Sequence, residues 1–336
     1  MSRLSAGEFA GRVLIVLGLA ALFALLWEVV DIFVLIFGGL ILALVLRSAM
    51  HVVLRFTPLR GRWALLVGIL GLLVLVGLIG LLIGSRVATQ IGQLTRTLPR
   101  AWMRVSAQLD ATSAGRGVLH ALSIQATAGR WLTRLSDLAT VTFGALVDSG
   151  VILFTGLYFA VDPALYKRGV LQLAPRGARH SCEQALDAAA TALAHWLKGV
   201  LISMLGIGVI TGLGLWILGI PLALALGILS GVFEFVPYIG PIIAAVPALL
   251  VAFAVGPSHA LEVLALYIAV HLFEGELLVP LIQRWAVALP PALGIVAVVV
   301  FGWLFGLPGI IFATPMTVVL MALIDTLYVQ AALRSS

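Results

Sequence analysis

Charge is what this sequence has least of. Only 10% of its 336 residues are Asp, Glu, Lys or Arg, whereas 62% are hydrophobic. That is too little polar surface to solvate a globular domain of this length, which excludes a soluble fold. Cysteine is nearly absent too: the single Cys182 rules out an internal disulfide framework and offers no metal-ligand spacing, so it reads as a small apolar filler. Catalytic signatures are missing as well. There is no Walker-type loop and no HExxH pair, and Gly227-Ile-Leu-Ser-Gly231 departs from the GxSxG spacing of a serine nucleophile. The expectation is a protein that is not an enzyme and needs no cofactor or metal. The net charge of +6 is scattered between hydrophobic runs rather than gathered on one face, which argues against a nucleic-acid partner.

What is present is apolar length. Mean hydropathy is +1.19, and runs of about 18 residues or more recur, each long enough to cross a hydrocarbon layer of roughly 30 Å. The fold class is an all-α polytopic membrane protein with the lipid bilayer as its first partner. The first run, Val13 to Val30, is too long for the core of a signal peptide and reads as a retained helix. Arg3 and Arg12 precede it, Glu28 and Asp31 mark the turn into the second span, and Arg47, Arg55, Arg60 and Arg62 follow that span. Lys and Arg in short loops favour the cytoplasmic side, so the N-terminus and the loop from Arg47 to Arg62 are placed inside.

The chain divides into N-terminal membrane helices (1–84), an amphipathic outer segment (85–143), one membrane helix (144–162), a cytoplasmic amphipathic segment (163–198) and a core (199–336). In the outer segment Ile91, Leu94, Leu98, Trp102, Val105 and Leu109 recur at helical spacing beside a ridge of Arg96, Arg100 and Arg104. That face either packs on a neighbouring helix or forms a basic collar for anionic solutes and headgroups. A second pattern runs through Leu119, Leu122, Trp131 and Leu138. Asp162 before Pro163 reads as a helix stop, and Leu186, Ala190, Leu193 and Leu197 outline a helix at the inner surface.

The core contains two interrupted apolar stretches. In Phe233-Glu234-Phe235-Val236-Pro237-Tyr238-Ile239-Gly240-Pro241 a carboxylate, two prolines and a glycine stand where a continuous span is expected. Lipid offers no water to the backbone groups that Pro237 and Pro241 leave unpaired, so such a break belongs where protein or a wet cavity surrounds it. An echo follows: Gly302, Phe305, Pro308, Gly309-Ile-Ile-Phe-Ala-Thr-Pro315 repeats the order of Gly231, Phe233, Pro237, Gly240-Pro-Ile-Ile-Ala-Ala-Val-Pro247. The loop charges have the first unit (221–256) entering from outside and the second (291–329) from inside. Two such hairpins of opposite insertion make an inverted repeat, re-entrant or fully spanning. Pro237, Gly240, Pro241, Pro308, Gly309 and Pro315 are their structural breakers.

Six polar residues stand out against this background. A carboxylate in lipid is costly by insertion scales, so Glu234 is either a site residue or a helix-end cap at the interface. Tyr238 is either a hydrogen-bonding group or an interfacial anchor. His271 and Glu274 lie one turn apart on the same face and suit proton handling or mutual satisfaction. Glu276 points elsewhere, four residues before Pro280, and Gln283 follows on the inner side.

Taken in order, Trp196-Leu-Lys-Gly199, Leu218-Gly-Ile-Pro221, Phe235-Val-Pro-Tyr-Ile-Gly-Pro241, Glu276-Leu-Leu-Val-Pro280, Leu289-Pro-Pro291 and Gly306-Leu-Pro-Gly309 through Pro315 resemble the AI-2E (autoinducer-2 exporter-like, PerM-like) family over nearly the whole chain. The resemblance implies a bacterial inner-membrane protein of about eight transmembrane segments. It also implies cytoplasmic termini and a homo-oligomer, such as a pentamer. The implied activity is secondary transport of a small polar solute, such as a furanone signal of the autoinducer-2 type, or antiport of sodium or another monovalent cation against protons. An uncoupled channel or scaffold is the distant alternative. The chain departs from the commoner pattern at Phe273-Glu-Gly-Glu-Leu, where an Asn or Tyr often follows the acid.

Overall fold

The computed structural model describes residues 32–59, 61–110, 143–278, 280–281 and 289–329. The first apolar run, the helical pattern around Trp131 and Gln283 lie outside them. The described chain is all helix: α1 (Ile32–Phe56), α2 (Arg62–Asp110), α3 (Phe143–Val161), α4 (Pro163–Leu173), α5 (Arg179–Ile217), α6 (Ala223–Phe233), α7 (Ile239–Val255), α8 (Pro257–Phe273) and α9 (Pro291–Ile324). Among the described residues four helices are long and apolar enough to cross a membrane, or five if the bent α3 and α4 count as one. This is a multi-pass membrane protein.

The span starting at Trp63 and the amphipathic stretch after it are one element. α2 runs unbroken for 49 residues, about 74 Å at 1.5 Å per residue, more than twice the thickness of a hydrocarbon core. A change from apolar to polar composition redirects what a helix faces but does not stop it. In the apolar half the most hydrophobic window is only 6% buried. In the polar half Leu94 and Leu98 are buried against Leu215, Leu226, Val251 and Val263 from four other helices, while Arg96, Arg100 and Arg104 stay exposed. The leucine face therefore packs.

α3 stops at Val161, where Asp162 Oδ1 accepts a hydrogen bond from Leu165 N at 3.1 Å and caps α4. Pro163 occupies the first turn of α4, a position that tolerates a missing N–H, and the chain bends there by 91°. Lys167 on α4 then bridges Glu183 and Asp187 on α5, each at 2.9 Å. The buried face of α5 is Ala185, Ala189, Leu193, Trp196 and Leu197. Of the expected face Leu193 and Leu197 are buried, while Ala185 and Ala189 take the places expected for Leu186 and Ala190.

Two features position the core. α5 and α6 cross on facing glycine pairs, Gly208 and Gly212 against Gly227 and Gly231: a methyl added at Gly227 would lie 2.5 Å from Gly212 Cα and 2.9 Å from Gly208 O. Only residues without side chains let backbones approach this closely. In addition, α6 and α7 are short limbs of one helical hairpin, of 11 and 17 residues, and α9 doubles back on itself. Gly306 inside α9 is non-helical (φ 63°, ψ −142°), and Ala297, Val298 and Ala313 share one buried cluster. Sixteen residues of straight helix would separate Ala297 from Ala313 by about 24 Å, so α9 is a second hairpin with its turn at Gly306, just ahead of the expected Pro308.

Candidate functional site

The turn of the first hairpin is built from the residues that interrupt its sequence. Pro237 and Pro241 withhold backbone donors, and Tyr238 takes a positive φ of 70°, an uncommon conformation for a residue with a side chain. A β-carbon at Gly240 would collide with the carbonyl oxygen of Phe233. That glycine is what lets the chain fold back on the end of α6. The second hairpin uses the same device: a β-carbon at Gly309 would collide with the carbonyl oxygen of Phe301. Pro308 lies in its turn, and Pro315 is buried within its returning limb.

The tip of the first hairpin docks on the second. The Tyr238 ring packs where Gly294 has no side chain, with Cε2 2.8 Å from where a β-carbon would stand. Ile239 joins the cluster of Ala297, Val298, Phe301, Ile310 and Ala313. Phe235 makes edge contacts to Trp196 of α5 (5.6 Å between centroids) and to Phe312 of α9 (6.4 Å). The tip is thus wedged between a long helix and the other hairpin.

Glu234 is the C-cap that follows α6 and is only 3% exposed. Its carboxyl group lies beside that of Glu274, the first residue of the π turn that continues α8. Two carboxyl groups this close do not both ionise readily, and Glu234 Oε2 is buried without a hydrogen-bond partner. Glu274 is held on its other side by His271, with Nδ1 3.2 Å from Oε2; the His side chain is 60% exposed and that of Glu274 13%. Tyr238 is near enough to feel the Glu274 charge. The chain therefore brings Glu234, Tyr238, His271 and Glu274 together. Glu276 is exposed on the wide π turn Glu274–Leu278 that ends α8 and takes no part in the cluster.

One rung along, Ser230 of α6 and Tyr267 of α8 pair through their hydroxyls at 2.8 Å, and Tyr267 also reaches the Ala244 carbonyl of α7 at 3.4 Å. Ser230 and Glu234 are one turn apart on α6, and Tyr267, His271 and Glu274 follow one face of α8. The Ser230–Tyr267 hydroxyl pair is thus a side-chain bridge from α6 to α8 on the same side as the acids. At the other end of the hairpin, Gln90 of α2 caps α6: Ala225 N donates to Gln90 Oε1 at 3.0 Å. Neither Tyr267 nor Gln90 was marked by the sequence reading. The serine and tyrosine could have been found by asking which hydroxyls share a face with each acid, whereas nothing local points to Gln90.

Residues 14–329 match the family described as "AI-2E family transporter". "Putative transport protein YrrI" of Bacillus subtilis is 34% identical over 172 residues, 51% of this chain and 49% of that protein. A "Putative transport protein" of Mycobacterium tuberculosis is 30% identical over 328 residues, 91% of this chain and 86% of its own length. "AI-2 transport protein TqsA" of Escherichia coli is 24% identical over 295 residues, 84% and 82% of the two chains. The match spans about half the length of YrrI and of a second Bacillus subtilis relative, and most of the length of the other two.

Proposed function

Because this chain belongs to the AI-2E transporter family, we propose that it is a secondary transporter that exports a small polar solute across a bacterial inner membrane. A furanone-type signal is one candidate, since the relative TqsA is named for AI-2 transport. The observation that carries the reading is the buried Glu234, facing Glu274 at the tip of a broken hairpin that docks on a second broken hairpin. Interrupted helices whose ends converge on one polar point are how such proteins build a solute site within the bilayer.

In this proposal the two hairpins insert from opposite faces. Tyr238 at the tip of the first lies against Gly294 near the base of the second, the contact expected of antiparallel insertion. The fuller arrangement has about eight segments, including spans outside the described residues, and both termini in the cytoplasm. The apolar half of α2, largely uncovered in a single chain, suits contact with further copies in a homo-oligomer as well as with lipid.

A second reading is favoured by the hydrogen-bonded His271 and Glu274 beside Glu234: exchange of a monovalent cation for protons, with the carboxyl groups as carriers. Flux into proteoliposomes containing the purified protein tests both readings. Movement of a neutral furanone supports export, cation-dependent proton movement supports antiport, and no flux of furanone, sodium or protons contradicts transport altogether.

A further inference from the structure

We infer that α4 lies flat in the headgroup layer of an anionic leaflet, with its apolar face toward the acyl chains and the neighbouring arginines at the level of the lipid phosphates. This contact stands apart from whatever solute the hairpins carry. The path of the chain sets it up. α3 has 19 residues, about 28 Å of helix, which matches the thickness of a hydrocarbon core. The chain therefore leaves the apolar layer near Asp162, and there it turns by 91°. A helix that follows a span at a right angle runs along the membrane surface. With 11 residues, about 16 Å, α4 is also too short to cross.

α4 has two unlike sides. Lys167 and Leu171, one turn apart, are partly covered, and Lys167 is tied to Glu183 and Asp187 of α5. Tyr166, Val170 and Leu173, at i, i+4 and i+7, form another face. All three are exposed, Leu173 at 87%. Tyr166 fixes what this face looks toward, because its ring meets Phe159 of α3 edge-on at 4.5 Å between centroids. Phe159 lies inside the end of the span, so the face carrying Tyr166 is turned to the bilayer, and Val170 and Leu173 continue it over lipid. Arg168 and Gln172 lie away from it.

Charge points to the lipid. From Pro163 to Cys182 the chain has Lys167, Arg168, Arg176 and Arg179 and no Asp or Glu. Glu183 and Asp187 are engaged by Lys167, and Asp162 caps α4. Among the described residues no carboxylate is ion-paired with Arg168, Arg176 or Arg179, and all three are exposed. Arg168 and Arg179 each donate one N–H to a carbonyl, of Ala164 and Ala174, which leaves the rest of each guanidinium for phosphate oxygens. An apolar face with arginines beside it is the composition of an interfacial helix. Such loops favour the cytoplasmic side, whose leaflet carries the negative potential that attracts them. A soluble partner would not reach a face turned toward the span.

The test places an environment-sensitive fluorophore on single cysteines of the whole chain carrying Cys182→Ser, in liposomes of phosphatidylglycerol and phosphatidylcholine. Labels at Val170→Cys and Leu173→Cys are expected to be quenched by lipids brominated on the upper acyl chain, and a label at Gln172→Cys by aqueous iodide instead. Brominating only the phosphatidylglycerol should quench the Leu173→Cys label at least about twofold more than brominating only the phosphatidylcholine at equal mole fraction. Combining Arg168→Gln, Arg176→Gln and Arg179→Gln should bring the two to parity. The first two comparisons keep every arginine, so they decide the matter even if the triple variant does not fold. Iodide quenching at both Val170→Cys and Leu173→Cys overturns the inference, and so does protection of both from lipid and iodide alike, the result of a second copy or another protein seated on α4. Absence of the phosphatidylglycerol preference, or its persistence in a folded triple variant, overturns it too.

Discussion

The two hairpins share a turn and differ in chemistry. Each folds back where a glycine of the returning limb, Gly240 or Gly309, lies against a carbonyl oxygen of the outgoing limb, that of Phe233 or Phe301. Yet the first carries Glu234 and Tyr238 at its tip and is capped across the molecule by Gln90, whereas the second places only Trp303, Leu304, Phe305, Leu307 and Pro308 around Gly306. The shared turn is therefore an answer to a backbone problem, that of reversing a helix in an apolar setting. In the proposed function, what distinguishes the site from its scaffold is the polar group added to one copy of that turn.

If the turns are equivalent, Gly240→Ala and Gly309→Ala should be equally damaging. Each forces a methyl into a carbonyl that cannot move without opening the hairpin, at a cost of about 2 kcal/mol or more. Thermal unfolding in detergent measures it, and a large loss in one variant with none in the other would break the equivalence. Gly306→Ala sharpens the point. Its φ of 63° with ψ of −142° is a conformation open almost only to glycine, but nothing lies within 4 Å of the added carbon, so the cost is backbone strain without a collision, about 1–3 kcal/mol.

Gln90→Ala should cost about 1 kcal/mol, the worth of a helix cap, and should expose the start of α6 to hydrogen exchange while leaving α9 unchanged. The smallest effect belongs to Lys167, outside both hairpins. The hydrogen bonds it donates to Asp187 and Glu183 raise its pKa above the ordinary 10.5. Its contribution is then fully present below pH 10.5 and is lost as pH rises through the higher folded value. Because the pair is solvent-exposed, Lys167→Met should lower the unfolding temperature only slightly at pH 8, with the difference shrinking at strongly alkaline pH and high salt.

Local signals were legible in the sequence and distant ones were not. Pro237, Gly240 and Pro241 announce a break because proline and glycine act on their own backbone. His271 and Glu274 could be paired from their helical spacing alone, and they lie 3.2 Å apart. The second break was legible as Pro308-Gly309, but the positive φ falls on Gly306, because proline fixes its own φ and the preceding glycine is free to take the reversal. The meeting of Glu234 and Glu274, forty residues apart, depends on how the rest of the fold places the C-terminal ends of α6 and α8 and leaves no trace in either segment. The two Gly-x-x-x-Gly spacings, 208 to 212 and 227 to 231, were present but easy to pass over in a chain with 35 glycines. Their partnership shows only in the crossing of α5 and α6.

In the proposed function Glu234 and Glu274 act together at the first tip while Glu276, two residues beyond Glu274, does not. Solute-driven flux in proteoliposomes, compared among Glu234→Gln, Glu274→Gln and Glu276→Gln at matched protein content, tests it most directly. The account predicts that the first two lose flux by about tenfold or more and that the third keeps it. Loss confined to Glu276→Gln, with the other two at wild-type rates, would contradict it.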